Sequence, residues 1–71
     1  MRLSIISGTF TISGKLKEAD KIENTVNLLC EELDTTPAIE DTFENEYSIM
    51  CGYDIESYTV EDVKHFYKLV K

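Results

Sequence analysis

The sequence predicts an α+β fold of two layers, in which two helices pack on one face of a three-stranded sheet in the order β-α-β-β-α. Three patterns support this: two stretches whose apolar residues recur every three or four positions, one long alternating stretch, and an extended N-terminal segment. A chain of 71 residues with 42% hydrophobic content is predicted to form a single small domain, residues 1–71.

The N-terminal segment is predicted to be extended, and its apolar residues alternate in two registers. The apolar residues within positions 3–5 share one register, and the apolar residues within positions 6–12 share the other. The register changes beside Ser7 and Gly8. A bulge in one bent strand covering residues 2–13, or a tight hairpin turn at Ser7 and Gly8, would each explain the change. The single bent strand is the favoured interpretation.

A helix is predicted over residues 15–34, because its apolar residues fall on one helical face. They are Leu16, Ala19, Ile22, Val26, Leu29 and Leu33. Pro37 lies beyond its end, and proline disfavours helical backbone in the residue before it.

A β-hairpin is predicted over residues 38–55, because apolar and polar residues alternate there. The stretch is too long for one strand, so a turn at 44–46 would give strands of about 38–43 and 47–55. In this interpretation the odd residues, from Ile39 and Phe43 to Ile55, face the helices. The even residues face outward and include Glu40.

The last helix is predicted to begin after Thr59, which is an N-cap candidate. Asp62 follows at the capping-box spacing, and Tyr58 and Val63 stand at the positions of a hydrophobic staple. The expected buried stripe of this helix consists of Val60, Val63, Phe66, Tyr67 and Val70.

The charge pattern is the main functional signal of the chain. Residues 22–63 contain twelve carboxylates and no lysine or arginine, and the formal net charge of the chain is −7. Acidic residues at the end of the first helix also oppose the helix dipole. The outward hairpin face and this helix end are predicted to form one acidic, partner-binding surface. Its residues are Glu31, Glu32, Asp34, Glu40, Glu44, Glu46, Asp54 and Glu56.

The residues do not indicate catalysis, so the chain is predicted not to be an enzyme and to have no catalytic residue, cofactor or metal. His65 is the single histidine, and the three glycines are scattered rather than grouped in a phosphate-binding loop. Cys30 and Cys51 are expected to be free, buried thiols in a reducing compartment. The acidic charge disfavours direct binding of nucleic acid. The chain lacks a long apolar run, so no membrane association is expected and the predicted location is cytoplasmic.

Four features of the chain together resemble those of a known family. They are the acidic character, the predicted β-α-β-β-α order, the opening Met1-Arg2-Leu3 and the Thr59-Val60-Glu61-Asp62 start of the last helix. In architecture the chain resembles the DinI family of small RecA modulators. In that family the negative charge follows the last helix, whereas here that helix turns basic after Asp62, so no residue role is carried over. The resemblance implies only that a small acidic fold can imitate the charge of DNA.

The resulting expectation is a non-enzymatic inhibitor or regulator that occupies a basic, nucleic-acid-binding type of surface on a protein partner. A DNA-mimic or anti-defence protein of phage type fits this description. The alternative is a structural or assembly module, either a homo-oligomer such as a homodimer or a subunit of a larger complex, in which acidity serves solubility only.

Overall fold

The computed structural model describes residues 1–70 and has four strands, two α-helices and one 3-10 turn. The strands are β1 (Arg2–Ile6), β2 (Thr9–Lys15), β3 (Pro37–Phe43) and β4 (Glu46–Gly52), and the helices are α1 (Ala19–Glu32) and α2 (Val60–Val70). All neighbouring strands are antiparallel, and the sheet order is β1-β2-β4-β3. The α+β class with two helices is confirmed. The predicted three strands and the predicted β-α-β-β-α order are wrong, because the chain runs β-β-α-β-β-α.

The additional strand arises at Ser7 and Gly8, where the chain makes a hairpin turn instead of continuing as one bent strand. Gly8 has a φ of +82°, which favours glycine because a side chain is strained there. The Thr9 hydroxyl donates a hydrogen bond to the Ile6 carbonyl across the turn, at 3.1 Å. Leu3 and Ile5 consequently pair with Ile12 and Phe10, which explains the two registers of the N-terminal segment.

The first helical segment is confirmed, although it begins as the 3-10 turn Leu16–Glu18 before α1. Its end has the hydrogen bonds of a Schellman motif, with the Asp34 amide bonded to the Glu31 carbonyl at 3.3 Å and the Thr35 amide to the Cys30 carbonyl at 2.9 Å. Asp34 itself takes the left-handed φ of 53° that this motif requires. The chain therefore leaves the helix abruptly and enters β3 at Pro37.

The hairpin of β3 and β4 is confirmed, but the faces predicted for β3 are wrong. The strands are joined by a two-residue turn, Glu44 and Asn45, rather than by the predicted turn at 44–46, so that Glu40 pairs with Ile49 and Ile39 pairs with Met50. A bulge between Pro37 and Ile39 changes the register only at the start of the strand. Directly opposite residues share a face of the sheet, and Ile49 points into the core. Glu40 therefore lies on the helix side, and Ile39 lies on the side that the helices leave open. A shift of one residue reverses every side chain of a strand.

Helix α2 starts as predicted. The Asp62 amide donates to the Thr59 hydroxyl at 3.2 Å, and the Thr59 amide donates to the Asp62 carboxylate at 2.9 Å, which completes a reciprocal capping box. Val63 and Tyr67 are buried, whereas Val60 is exposed. Lys71, one of the basic residues at the end of the chain, lies outside the described residues.

One hydrophobic cluster joins the two layers. Its fully buried members come from β2 and β4 of the sheet and from both helices. They are Phe10, Ile12, Ile22, Val26, Leu29, Cys51 and Val63. The central strands β2 and β4 therefore carry the core, and the edge strands β1 and β3 lie at its margins.

Candidate functional site

The eight residues predicted to bind a partner do not lie on one face of the sheet. Three stand at the end of α1, Glu44 is in the turn between β3 and β4, and two follow β4 in the loop before α2. Only Glu40 and Glu46 belong to strands, and they lie on opposite faces. The prediction of one continuous acidic sheet face is therefore wrong. Its cause is the two-residue turn between β3 and β4, which pairs odd residues of β3 with even residues of β4 and which the alternating pattern does not reveal.

The open face of the sheet, opposite the helices, is not anionic. Glu46 pairs with Lys15 across β2 and β4, and the Arg2 guanidinium approaches its carboxylate, with Nη2 and Oε2 3.8 Å apart. Asp41 is the other carboxylate on this face. The face therefore carries two acidic residues, Glu46 and Asp41, and two basic residues, Arg2 and Lys15. This face also holds Ile39, whose side chain a strict alternation would have buried.

Asp54 and the end of α1 have local structural roles. The Asp54 carboxylate accepts hydrogen bonds from the Glu56 amide and the Ser57 hydroxyl, both at 2.9 Å. These bonds, that from the Glu56 amide first, lower the pKa of the Asp54 carboxyl. Near Asp34, the Tyr58 hydroxyl donates to the Glu32 carbonyl at 3.4 Å, which ties the end of α1 to the loop before α2.

A groove between α1 and β3 combines carboxylates with an apolar floor. It has a volume of about 200 Å³. Its walls and floor are formed by Glu23, Asn27, Pro37, Ala38, Ile39, Glu40 and Ile49. Glu23 comes from the helix and Glu40 from the strand, so two acidic side chains border the same small space. Sequence reasoning missed Glu23 because helical periodicity places it simply on an exposed face of α1.

The carboxylates at this groove influence Tyr47, which is buried on the helix side of β4. The pKa of the Tyr47 hydroxyl is raised to about 12, mainly because the group is buried. A hydrogen bond to the Glu40 carboxylate and the negative charges of Glu40, Glu23 and Asp20 raise it further. Three carboxylates from two elements thus converge on one side of the molecule. The sequence between residues 22 and 63, which contains Glu23 and Glu40, has no lysine or arginine.

Strand β3 forms one edge of the sheet, and all seven of its residues are exposed. Helix α1 packs chiefly over β2 and β4, so β3 projects beyond the helical layer and is uncovered on both faces. An edge strand of this kind offers backbone N–H and C=O groups to a further strand. The acidic groove and the free edge lie side by side, and together they form the candidate site, termed below the α1–β3 site.

The described residues contain no group of three or more histidine, cysteine, aspartate or glutamate side chains placed to hold a metal ion. Within residues 1–70, no helix has the length and apolar character needed to cross a membrane. His65 is an exposed residue of α2 whose ring lies 6.1 Å from that of Phe66. Cys30 and Cys51 are buried free thiols as predicted, with their sulfur atoms 3.5 Å apart.

Comparison with protein-family models, with curated proteins and with solved structures finds no significant match to this chain. The observed β-β-α-β-β-α order also departs from the element order on which the resemblance to the DinI family rests. The functional assignment therefore depends on the charge and geometry of the α1–β3 site.

Proposed function

We propose that this chain is a non-enzymatic binding protein that occupies a basic surface of a protein partner, as a small inhibitor or regulator does. The observation that carries the proposal is the α1–β3 site, in which an acidic groove borders an uncovered edge strand. The proposed contact thus moves from the open sheet face to the flank formed by α1 and β3. The partner surface is of the kind that also binds nucleic acid, because both ligands present negative charge.

The chemistry of the groove fits a lysine or arginine side chain. Pro37, Ala38 and Ile49 offer an apolar surface for an aliphatic stem, and Glu23 and Glu40 offer carboxylates for the charged head. Hydrogen bonds to charged groups contribute roughly 1.5–3 kcal/mol each, so one basic side chain seated here would provide a large share of a moderate affinity.

The free edge of β3 complements this groove, because an extended segment of the partner can pair with the strand while its basic side chain enters the groove. The same edge is poorly suited to pairing with itself. An antiparallel pair of two β3 strands would bring Glu40 and Asp41 of one copy close to the same residues of the other, and like charges at that distance repel. The charge of β3 therefore selects for a basic partner strand.

The test uses immobilised protein to capture partners from a lysate, with mass spectrometry to identify them. The groove variant Glu23→Gln with Glu40→Gln removes two negative charges, and a control variant, Glu56→Gln with Glu61→Gln, removes two elsewhere. Glutamine can still accept the hydrogen bond of Tyr47, so folding is expected to persist. A true partner is retained by the wild type and the control, and is bound about 10-fold more weakly by the groove variant.

Salt provides the second measurement. Binding of that partner should weaken as ionic strength rises, and the groove variant should show a shallower dependence on salt than the control. Equal binding by the groove variant and the control would show that the α1–β3 site is not the contact. Capture that does not respond to salt would contradict a basic partner surface.

A further inference from the structure

The open face of the sheet is divided by charge into two halves. The half formed by β1 and β2 carries Arg2 and Lys15, and the half formed by β4 and β3 carries Glu46 and Asp41. All four side chains are exposed. Residues that stand opposite one another on neighbouring strands form rows across the sheet. Lys15 and Glu46 share one row. Arg2 and Asp41 are the two ends of the next row on this face, which runs through Ser13 and Ser48.

The same face carries large apolar side chains without a cover. Ile39 is 55% exposed and Phe43 is 71% exposed, and Met50 and Ile6 are exposed as well. Met50 and Ile39 share a row with Thr11 and Ser4, next to the row of Arg2 and Asp41. Apolar side chains beside balanced charges are typical of an interaction surface rather than of a purely solvated face.

We propose that this open face binds the same face of a second copy of the chain, about a twofold axis parallel to the strands that passes between β2 and β4. A rotation about this axis leaves the position of each row along the strands unchanged and exchanges the two charged halves of the face. Strand β2 of one copy then lies over β4 of the other, and β1 lies over β3. Lys15 consequently faces Glu46 of the second copy, and Arg2 faces Asp41 of the second copy. Symmetry repeats both ion pairs.

The charge pattern selects this axis over the other face-to-face arrangement. A twofold axis perpendicular to the strands would place each strand over itself and reverse the order of the rows. Lys15 would then face Thr9 of the second copy, and Glu46 would face Gly52, so these charges would meet no opposite charge across the interface and would keep only their neighbours within one copy. Two aligned sheets cross at about 30° and stack about 10 Å apart, which long lysine and arginine side chains can span.

The size of the face predicts a weak complex. Four strands spaced about 4.8 Å apart and about six residues long cover roughly 400 Å² on each copy, which is below the area of stable interfaces and within that of weak, transient ones. Association is therefore expected to be weak, and a dissociation constant on the order of 0.1 mM sets the concentrations of the test. The proposal is independent of the α1–β3 site, whose groove lies on the helix side of the sheet.

The test is sedimentation velocity from about 10 µM to about 1 mM, a range that brackets the expected constant. Wild-type protein should move from the 8.1 kDa monomer toward twice that mass. The double variant Arg2→Glu with Lys15→Glu makes the face wholly acidic, and Asp41→Lys with Glu46→Lys makes it wholly basic. Each variant alone should associate at least about 10-fold more weakly than wild type, because like charges then face each other.

Mixing the two variants should restore association, since every reversed charge then meets an opposite charge across the interface. A control mixture tests whether opposite net charge alone causes association. It combines the basic variant with the double variant Lys64→Glu and Lys68→Glu on α2, which changes the net charge as much as the acidic variant does but leaves the open face unchanged. Far-UV circular dichroism verifies that each variant is folded. A wild type that stays monomeric at the highest concentration, or equal association in the control mixture, would overturn the proposal. The groove variant Glu23→Gln with Glu40→Gln should associate like wild type, which separates this interface from the proposed function.

Discussion

Two isoleucines of the same alternating stretch are predicted to differ sharply in their contribution to stability. Ile39 and Ile49 both occupy odd positions, so the sequence pattern treats them alike. In the structure Ile49 is 3% exposed and lies in the core, whereas Ile39 is 55% exposed and lies on the open face opposite Met50. Replacing each by alanine therefore tests the register of β3 directly.

The expected magnitudes follow from burial. Ile49→Ala loses the transfer free energy of a buried side chain and leaves a cavity under α1, which together destabilise by about 3–4 kcal/mol. A chain of this length is stable by only about 4–10 kcal/mol, so this variant should lie close to unfolding. Ile39→Ala removes a side chain that is already half in water and leaves no enclosed cavity, and its cost should stay below about 1 kcal/mol.

The assay is urea unfolding followed by far-UV circular dichroism at a concentration of about 5 µM, well below that expected for self-association. Ile49→Val, expected to cost about 0.5–1.5 kcal/mol, keeps the comparison measurable where Ile49→Ala does not fold. Equal losses for Ile39→Ala and Ile49→Ala would refute the reasoning, because β3 would then pair with β4 in a register that turns Ile39 into the core.

Two further predictions follow from buried titratable groups. The pKa of Tyr47 is about 12 in the folded protein and about 10 in the unfolded chain. The contribution of its neutral hydroxyl to the free energy of unfolding should therefore be fully present below about pH 10 and be lost as the pH rises from about 10 toward 12. Urea midpoints across this range should fall less for Tyr47→Phe than for wild type, and identical profiles would contradict the assignment. Burial raises the pKa of Cys30 to about 12 and also raises that of Cys51, so native protein at about pH 8 should react slowly with an aromatic disulfide reagent and rapidly in urea. Immediate reaction of the native protein would place these thiols at the surface.

Local patterns in the sequence predict those elements whose signal does not depend on distant contacts. The period of the apolar residues locates both helical segments, and Thr59 with Asp62 predicts the cap that begins α2. The N-terminal registers are compatible with a bulge and with a turn, and the favoured bulge is wrong. Gly8 provides the signal for the turn, because it can adopt the positive φ that the turn uses.

The candidate site shows the limit of such patterns. Alternation predicts that Glu40 and Glu46 share an outward face, yet the two-residue turn between β3 and β4 sets a register that places them on opposite faces. Glu23 and Glu40 are 17 positions apart in the sequence, and they meet only because α1 packs beside β3. A pattern within one strand cannot report a shift in its pairing with another, and it cannot report which helix borders that strand.

By itself the sequence determined the α+β composition, the helices with their apolar faces, the buried cysteines and the uneven distribution of charge along the chain. The tertiary structure alone decided where that charge lies: it is spread over the end of α1, the turns and the loops, with Glu23 and Glu40 at the groove, and the open face is balanced instead of acidic. The physical reason is that side-chain period is a local property of the backbone, whereas the face that a strand presents depends on its register with a neighbour. One residue more or fewer in the turn that joins two strands changes that register without changing the period.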